Sequence, residues 1–210
     1  MHILIYHHDK PDLTYACVKT AYEQECIPVV VSDGNSTQIK RTLKSYSGKI
    51  DIIQFAAPVG FDSAVVSGFH HIFRGSYPKH IAIIDATIDN PFYIGELKLH
   101  IKASPEQIFA IQRIHNDNSW VANIFEKCVY RLNKHLRKVI LNDPLTSYVV
   151  FPATYVRTLL DRLDEHQHAV ILKLLTQSKR HQKTVILLPI DAIKSESWLS
   201  YLYGLYISLP

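Results

Sequence analysis

Ile81-Ala82-Ile83-Ile84-Asp85-Ala86-Thr87-Ile88-Asp89-Asn90-Pro91 is the stretch from which the rest of the chain can be read. Four apolar residues run into two acids, Asp85 and Asp89, and Pro91, which has no N–H for a ladder, stops the run. The pattern predicts a buried strand over 81–84 that emerges at its C-terminal edge carrying carboxylates. In an open α/β sheet that edge is where ligands bind. Carboxylates on such a turn are hard oxygen donors suited to Mg2+ or Mn2+, ions that commonly bridge to substrate phosphates. The same residues also fit turn chemistry alone, with Asp closing the strand and an Asx turn capping the next helix.

Working outward, the periodicity predicts strands at 2–6, 26–31, 50–55, 107–112, 148–151 and 184–190. Between them it predicts helices at 12–24, 37–46, 60–74, 91–100, 153–163 and 168–175. Leu13, Cys17, Ala21 and Tyr22 are expected on the inner face of the first helix, and Ala64 and Gly68 permit close packing of the third. Residues 120–139 carry apolar side chains at three- and four-residue steps, a long amphipathic helix. Strands alternating with helices through short connections predict parallel crossovers and an α/β, Rossmann-like, mostly parallel central sheet flanked by helices. With no repeat or low-complexity linker, residues 1–197 are read as one domain. Residues 198–210 form an apolar, aromatic tail too short to span a bilayer. That tail suits a membrane surface or a partner groove, and equally packing on its own domain.

Bulk properties narrow the partners. The 210-residue chain carries a net charge of +4 and is 47% hydrophobic. This permits an anionic partner such as a nucleotide or a lipid phosphate without demanding one, and no nucleic-acid partner is expected. Cys17, Cys26 and Cys128 are an odd set without metal-ligand spacing, which points to a reducing, cytoplasmic setting. The N-terminus reads as a strand rather than a signal peptide, and no apolar run is long enough to cross a membrane. His7-His8 and His70-His71 lack the helical zinc spacings, H-E-x-x-H or H-x-x-E-H.

Asp33, after the second strand, and Asp85, after the fourth, lie on the same sheet edge if the crossovers are right-handed. With Asp89 they place three carboxylates in one crevice. Several patches around them fall in a familiar order. Val30-Val31-Ser32-Asp33-Gly34-Asn35-Ser36-Thr37 resembles a V-V-D-D-G-S-T-D turn. Val59-Gly60, Ser63-Ala64 and Ser67-Gly68-Phe69 resemble an N-x-G-x-x-x-A-x-x-x-G-F helix. Residues 83–91 resemble a V-x-x-D-A-D-L-Q-x-P metal segment, and residues 142–148 an R-D-P-T-S-G-F segment. Residues 186–190 resemble an E-V-P-I strand. Together they resemble the family 2 glycosyltransferases of the GT-A fold, especially the polyprenol-phosphate (dolichol-phosphate mannose synthase-like) branch. The likeness runs from residue 1 to about residue 200.

The resemblance implies a GT-A fold and transfer of a sugar, with inversion, from a UDP- or GDP-linked nucleotide sugar to a polyprenyl-phosphate or glycan acceptor. It implies donor and nucleotide contacts from Tyr6, His8, Asp33, Gly34, Asp85 and Arg113, with Asp33 on the base or ribose. Asp85 and Asp89 would hold Mg2+ or Mn2+ against the diphosphate, and Arg113 would meet a phosphate. An anionic polyprenyl phosphate needs no base, whereas a hydroxyl acceptor does, and Asp143 or Asp117 is the candidate. The protein is then expected in the cytoplasm, or peripheral at the inner face of the membrane.

The departures from the family pattern bear on activity. The P-x-Y-N opening is Tyr6-His7-His8-Asp9, the first acid of the D-D-G-S turn is Ser32, and the middle acid of the metal segment is Thr87. They motivate the alternative of a non-catalytic, glycosyltransferase-like binding or assembly module. A receiver- or hydrolase-like α/β domain is a third class, but the elements predicted after residue 120 do not fit the small receiver pattern.

Overall fold

A computed structural model of the chain describes residues 1–34, 36–86, 93–114, 147–163 and 170–191. The chain alternates strand and helix from the start. β1 (His2–His7), α1 (Pro11–Glu23), β2 (Ile27–Asp33), α2 (Ser36–Thr42), β3 (Asp51–Phe55), α3 (Phe61–Gly75), β4 (His80–Asp85) and α4 (Ile94–Ala103) form the first half. β5 (Ile108–Ile114), β6 (Val149–Pro152), α5 (Ala153–Leu160), α6 (Val170–Gln177) and β7 (Val185–Asp191) follow. The strands form one seven-stranded sheet in the order β3-β2-β1-β4-β6-β5-β7. β6 alone among these strands is antiparallel to its neighbours, pairing with β4 on one side and β5 on the other. The expected helix at 120–139 and the tail at 198–210 lie outside the described residues, as do residues 91–92 of the helix expected at 91–100, residues 142–146 of the expected turn and residues 168–169 of the helix expected at 168–175.

Central strands are covered on both faces, so they read as unbroken apolar runs. Successive side chains alternate sides. Leu4, Val29, Val31, Ile81 and Ile83 face α3, α5 and α6. Ile3, Ile5, Val30, Ala82 and Ile84 face α1, α2 and α4. Burying each of these Val, Leu and Ile side chains fully contributes about 1.5–3 kcal/mol. Gly68 lets α3 approach β1 closely, since a Cβ there would stand 2.3 Å from Leu4 Cδ1.

The inner stripe of α1 departs from expectation. Thr14, Cys17, Val18 and Ala21 are buried, whereas Leu13 and Tyr22 are 40% and 45% exposed. Thr14 can be inside because its hydroxyl is fully engaged. It donates to the Lys10 carbonyl at 3.0 Å and accepts from His7 Nδ1 at 2.8 Å. Helix 37–46 is also shorter than its periodicity suggests, ending at Thr42 and continuing as a 3-10 turn at Lys44–Tyr46.

β1, β2 and β3 progress one way across the sheet through α1 and α2. α3 then carries the chain back over the opposite face to β4. This reversal places a topological switch point between β1 and β4, and the crevice lies outside their C-terminal ends. Among the described residues, no helix is long and apolar enough to cross a membrane.

Candidate functional site

The crevice is built from four strand ends. In register, Tyr6 lies between Val31 of β2 and Asp85 of β4, and His7 lies beside Ser32. Asp33 is the last residue of β2 and is 2% exposed. Its carboxylate accepts three internal hydrogen bonds. Oδ1 takes the Val59 N–H at 2.6 Å, and Oδ2 takes the Gly60 N–H at 3.0 Å and the Tyr6 hydroxyl at 2.9 Å. These are charge-assisted bonds, each stronger than a neutral one. They tie the end of β2 to β1 and to the turn that opens α3.

Local geometry supports that clamp. Gly34 has φ +90, and a Cβ on it would stand 2.9 Å from Pro58 Cγ, so both the backbone and the space require glycine. Gly60 has φ +85 as the chain enters α3. Phe61 packs edge-on against the Tyr6 ring with centroids 5.1 Å apart. The Pro58–Val59–Gly60 turn was visible in sequence only as the start of a helix; its partnership with Asp33 is a long-range contact that no local pattern announces.

Two histidines end β1 differently. His7 is 1% exposed, and burial pushes its pKa down. Because Thr14 already donates to Lys10, its oxygen accepts from His7 Nδ1–H, which fixes that tautomer. His8 is exposed, and its Nδ1 lies 3.2 Å from the Asp33 carbonyl oxygen. A carbonyl only accepts, so Nδ1 carries the proton here as well.

Asp85 closes β4 at 9% exposure, and the following Ala86 N–H donates to the Tyr6 carbonyl at 3.0 Å. Burial first, then the hydrogen bond to Asp33 and the charges of Asp33, Asp85 and Asp9, push the Tyr6 hydroxyl well above the ordinary phenol range. Tyr6 therefore stays a neutral donor, and the edge around it is electronegative.

Arg113 is in β5 opposite Ile190 of β7. Ile83 and Ala110 both pair with Val149, so Asp85 is level with Gln112, and Arg113 is one residue further along the same edge. Ser147, four residues after Asp143 in sequence, enters the sheet here ahead of β6; the Ile111 N–H donates to the Tyr148 carbonyl at 2.9 Å. Asp89, Asp117 and Asp143 lie outside the described residues. Among the described residues, no group of three or more His, Cys, Asp or Glu gathers as a metal cage. A hard divalent ion that keeps waters and leans on substrate phosphates does not need one. The Asp85 carboxylate, on an electronegative sheet edge, fits such an ion as one ligand.

No protein-family model matches the sequence, and no curated protein matches it significantly. Solved structures do match. Glucosyl-3-phosphoglycerate synthase from Mycobacterium tuberculosis, in complex with Mn2+, UDP and phosphoglyceric acid, is 11% identical. It superposes over 100% of this chain and 78% of its own with a TM-score of 0.67. A further complex of that synthase, with Mn2+, UDP-glucose and phosphoglyceric acid, gives a TM-score of 0.64 over 96% of this chain and 73% of that one, at 11% identity. S. aureus TarS (1–349) in complex with UDP-GlcNAc is also 11% identical, with a TM-score of 0.59 over 93% of this chain. This chain spans 59% of that TarS fragment. The fold is GT-A. At this identity the match speaks for architecture alone, and the chemistry must be argued from the residues.

Proposed function

We propose that this chain is a glycosyltransferase. It moves a sugar from a UDP- or GDP-linked donor to a polyprenyl-phosphate or glycan acceptor, with inversion and assisted by Mg2+ or Mn2+. The observation that carries this reading is the Asp85 carboxylate at the C-terminal end of β4, beside Tyr6, at the switch point of a GT-A sheet. The neighbours solved with Mn2+, UDP and UDP-sugars support the substrate class.

In this reading Asp85 and Asp89 would hold the cation. When bound, it supplies charge stabilisation to the departing diphosphate. Arg113 meets a phosphate through its planar guanidinium. The bond from the anomeric carbon to the diphosphate oxygen breaks as the acceptor oxygen bonds to the opposite face of that carbon. A phosphate acceptor arrives already anionic. A hydroxyl acceptor passes its proton to Asp143 or Asp117. The Asp33 clamp keeps the crevice wall in place through the cycle. Residues 198–210 hold the protein at the inner face of the membrane, where a polyprenyl phosphate is presented.

One observation favours a second reading. The Asp33 carboxylate is already engaged by three protein donors, and Thr87 replaces an acid of the metal segment, as in a non-catalytic binding or assembly module. Calorimetry with UDP and GDP, with and without Mn2+, followed by an assay of donor hydrolysis or transfer, tests both. Mn2+-dependent binding with turnover is expected. Binding without turnover selects a binding module, and no binding of either nucleotide, with or without Mn2+, rejects the enzyme and leaves the assembly module.

A further inference from the structure

We infer that base recognition in this chain falls to the His8 imidazole rather than to the Asp33 carboxylate, and that the base carries an imino N–H, as uracil and guanine do. The inference rests on the nucleotide-sugar reading above and gives it a specificity.

Asp33 is in the wrong state to read a base. It is 2% exposed, and both carboxylate oxygens accept donors from Tyr6, Val59 and Gly60. Three of its roughly four acceptor sites are taken by bonds that also hold the crevice wall, and burial leaves a ligand little access to the rest. Its backbone carbonyl still has a use, since it accepts from His8 Nδ1 at 3.2 Å. That bond requires a proton on Nδ1 and so leaves Nε2 as the ring nitrogen that can act as an acceptor. Nδ1 carries the proton, and Nε2, on the far side of the imidazole from Asp33, presents a lone pair. His8 is exposed and directly follows β1, next to the switch point. Asp33 thus acts as a positioning residue, holding the ring through its main chain while its side chain anchors the turn at 58–60.

A fixed acceptor on the crevice rim selects bases by hydrogen-bond polarity. Uracil N3–H and guanine N1–H point a donor from the centre of the pairing edge. Cytosine N3 and adenine N1 point a lone pair there, which meets the Nε2 lone pair with repulsion. A site of this kind favours uridine or guanosine diphosphates over cytidine and adenosine diphosphates. One neutral hydrogen bond accounts for a difference of about tenfold in affinity.

Calorimetry on the full chain with Mn2+ tests this using UDP, GDP, CDP, ADP, N3-methyl-UDP and N1-methyl-GDP. The expected result is tighter binding of UDP or GDP than of CDP and ADP. Methylation of the imino nitrogen of the preferred nucleotide then costs about tenfold in affinity. In His8→Phe, which keeps an aromatic ring and sits at an exposed position, the methylation penalty disappears, giving a closed double-difference cycle. A methylation penalty unchanged in His8→Phe, or wild-type affinities equal for all four bases, overturns the assignment to His8 while leaving nucleotide binding intact. No binding of any nucleoside diphosphate overturns both the assignment and the reading beneath it.

Discussion

The Tyr6 hydroxyl donates to the Asp33 carboxylate at 2.9 Å, joining the ends of β1 and β2, with both side chains almost wholly buried. A buried bond to a charged acceptor contributes about 1.5–3 kcal/mol, and an orphaned donor costs about as much. Tyr6→Phe is therefore expected to lower unfolding stability by about 2 kcal/mol. Asp33→Ala, which strands the Val59 and Gly60 N–H groups as well, should cost about 3 kcal/mol or more. Urea denaturation of the two variants gives the order. Equal losses would mean that the turn at 58–60 is held by something other than Asp33.

Asp85→Ala is expected to abolish nucleotide-sugar turnover and to weaken Mn2+-dependent UDP or GDP binding while leaving the fold intact. The lost metal contact should lower turnover by about a hundredfold or more, because charge stabilisation by a bound cation amounts to several kcal/mol. Far-UV circular dichroism checks the fold, and calorimetry with and without Mn2+ checks the ligand. Wild-type turnover in this variant would remove Asp85 from the metal site.

Gly34 and Gly48 both have positive φ, +90 and +73, but only Gly34 has a neighbour where a Cβ would go. Gly48→Ala should carry only the backbone strain of about 1 kcal/mol. Gly34→Ala adds a 2.9 Å collision with Pro58 and should cost about 2–3 kcal/mol. Chemical denaturation of both variants in parallel isolates the Pro58 contact as the difference.

Acid should destabilise the protein before its carboxylates titrate. Burial, with the N-terminal charge, lowers His2 below its ordinary value of 6.5; burial, with His8, lowers His7 in the same way. The unfolded chain then takes up protons that the folded chain resists. Stability present above about pH 6.5 is lost as pH falls through the depressed folded values. Urea midpoints measured from pH 7.5 down to 5 should decline, and His7→Gln should flatten the decline. A wild-type profile level across that window would contradict neutral burial of these rings.

Removing residues 198–210 is expected to weaken association with vesicles of anionic lipid, because the segment is nearly uncharged and rich in Trp and Tyr. Vesicle sedimentation of the full and shortened chains measures this. An unchanged distribution would assign the tail to packing on its own domain.

Much of the architecture was legible in one dimension. The doubly covered strands β1, β2 and β4 announce themselves as apolar runs, and the α/β alternation sets the fold class, because local periodicity and burial are coupled residue by residue. The acids closing β2 and β4 were legible for the same reason, since a strand that leaves the core must end in polar turn chemistry. Composition and spacing carried no information on who would bond to whom. The inner face of α1 turned on Thr14, a polar residue made acceptable inside by His7 and Lys10. The reversed direction of β6 between two parallel neighbours was likewise decided by packing between distant segments. Above all, sequence presents Asp33 as an open carboxylate at a strand end, whereas the folded chain closes it with donors 26 and 27 residues away. Residue type and local pattern determine which groups reach the sheet edge. Only the tertiary structure decides which remain available to a ligand, because a hydrogen bond made within the protein removes that group from the ligand's reach.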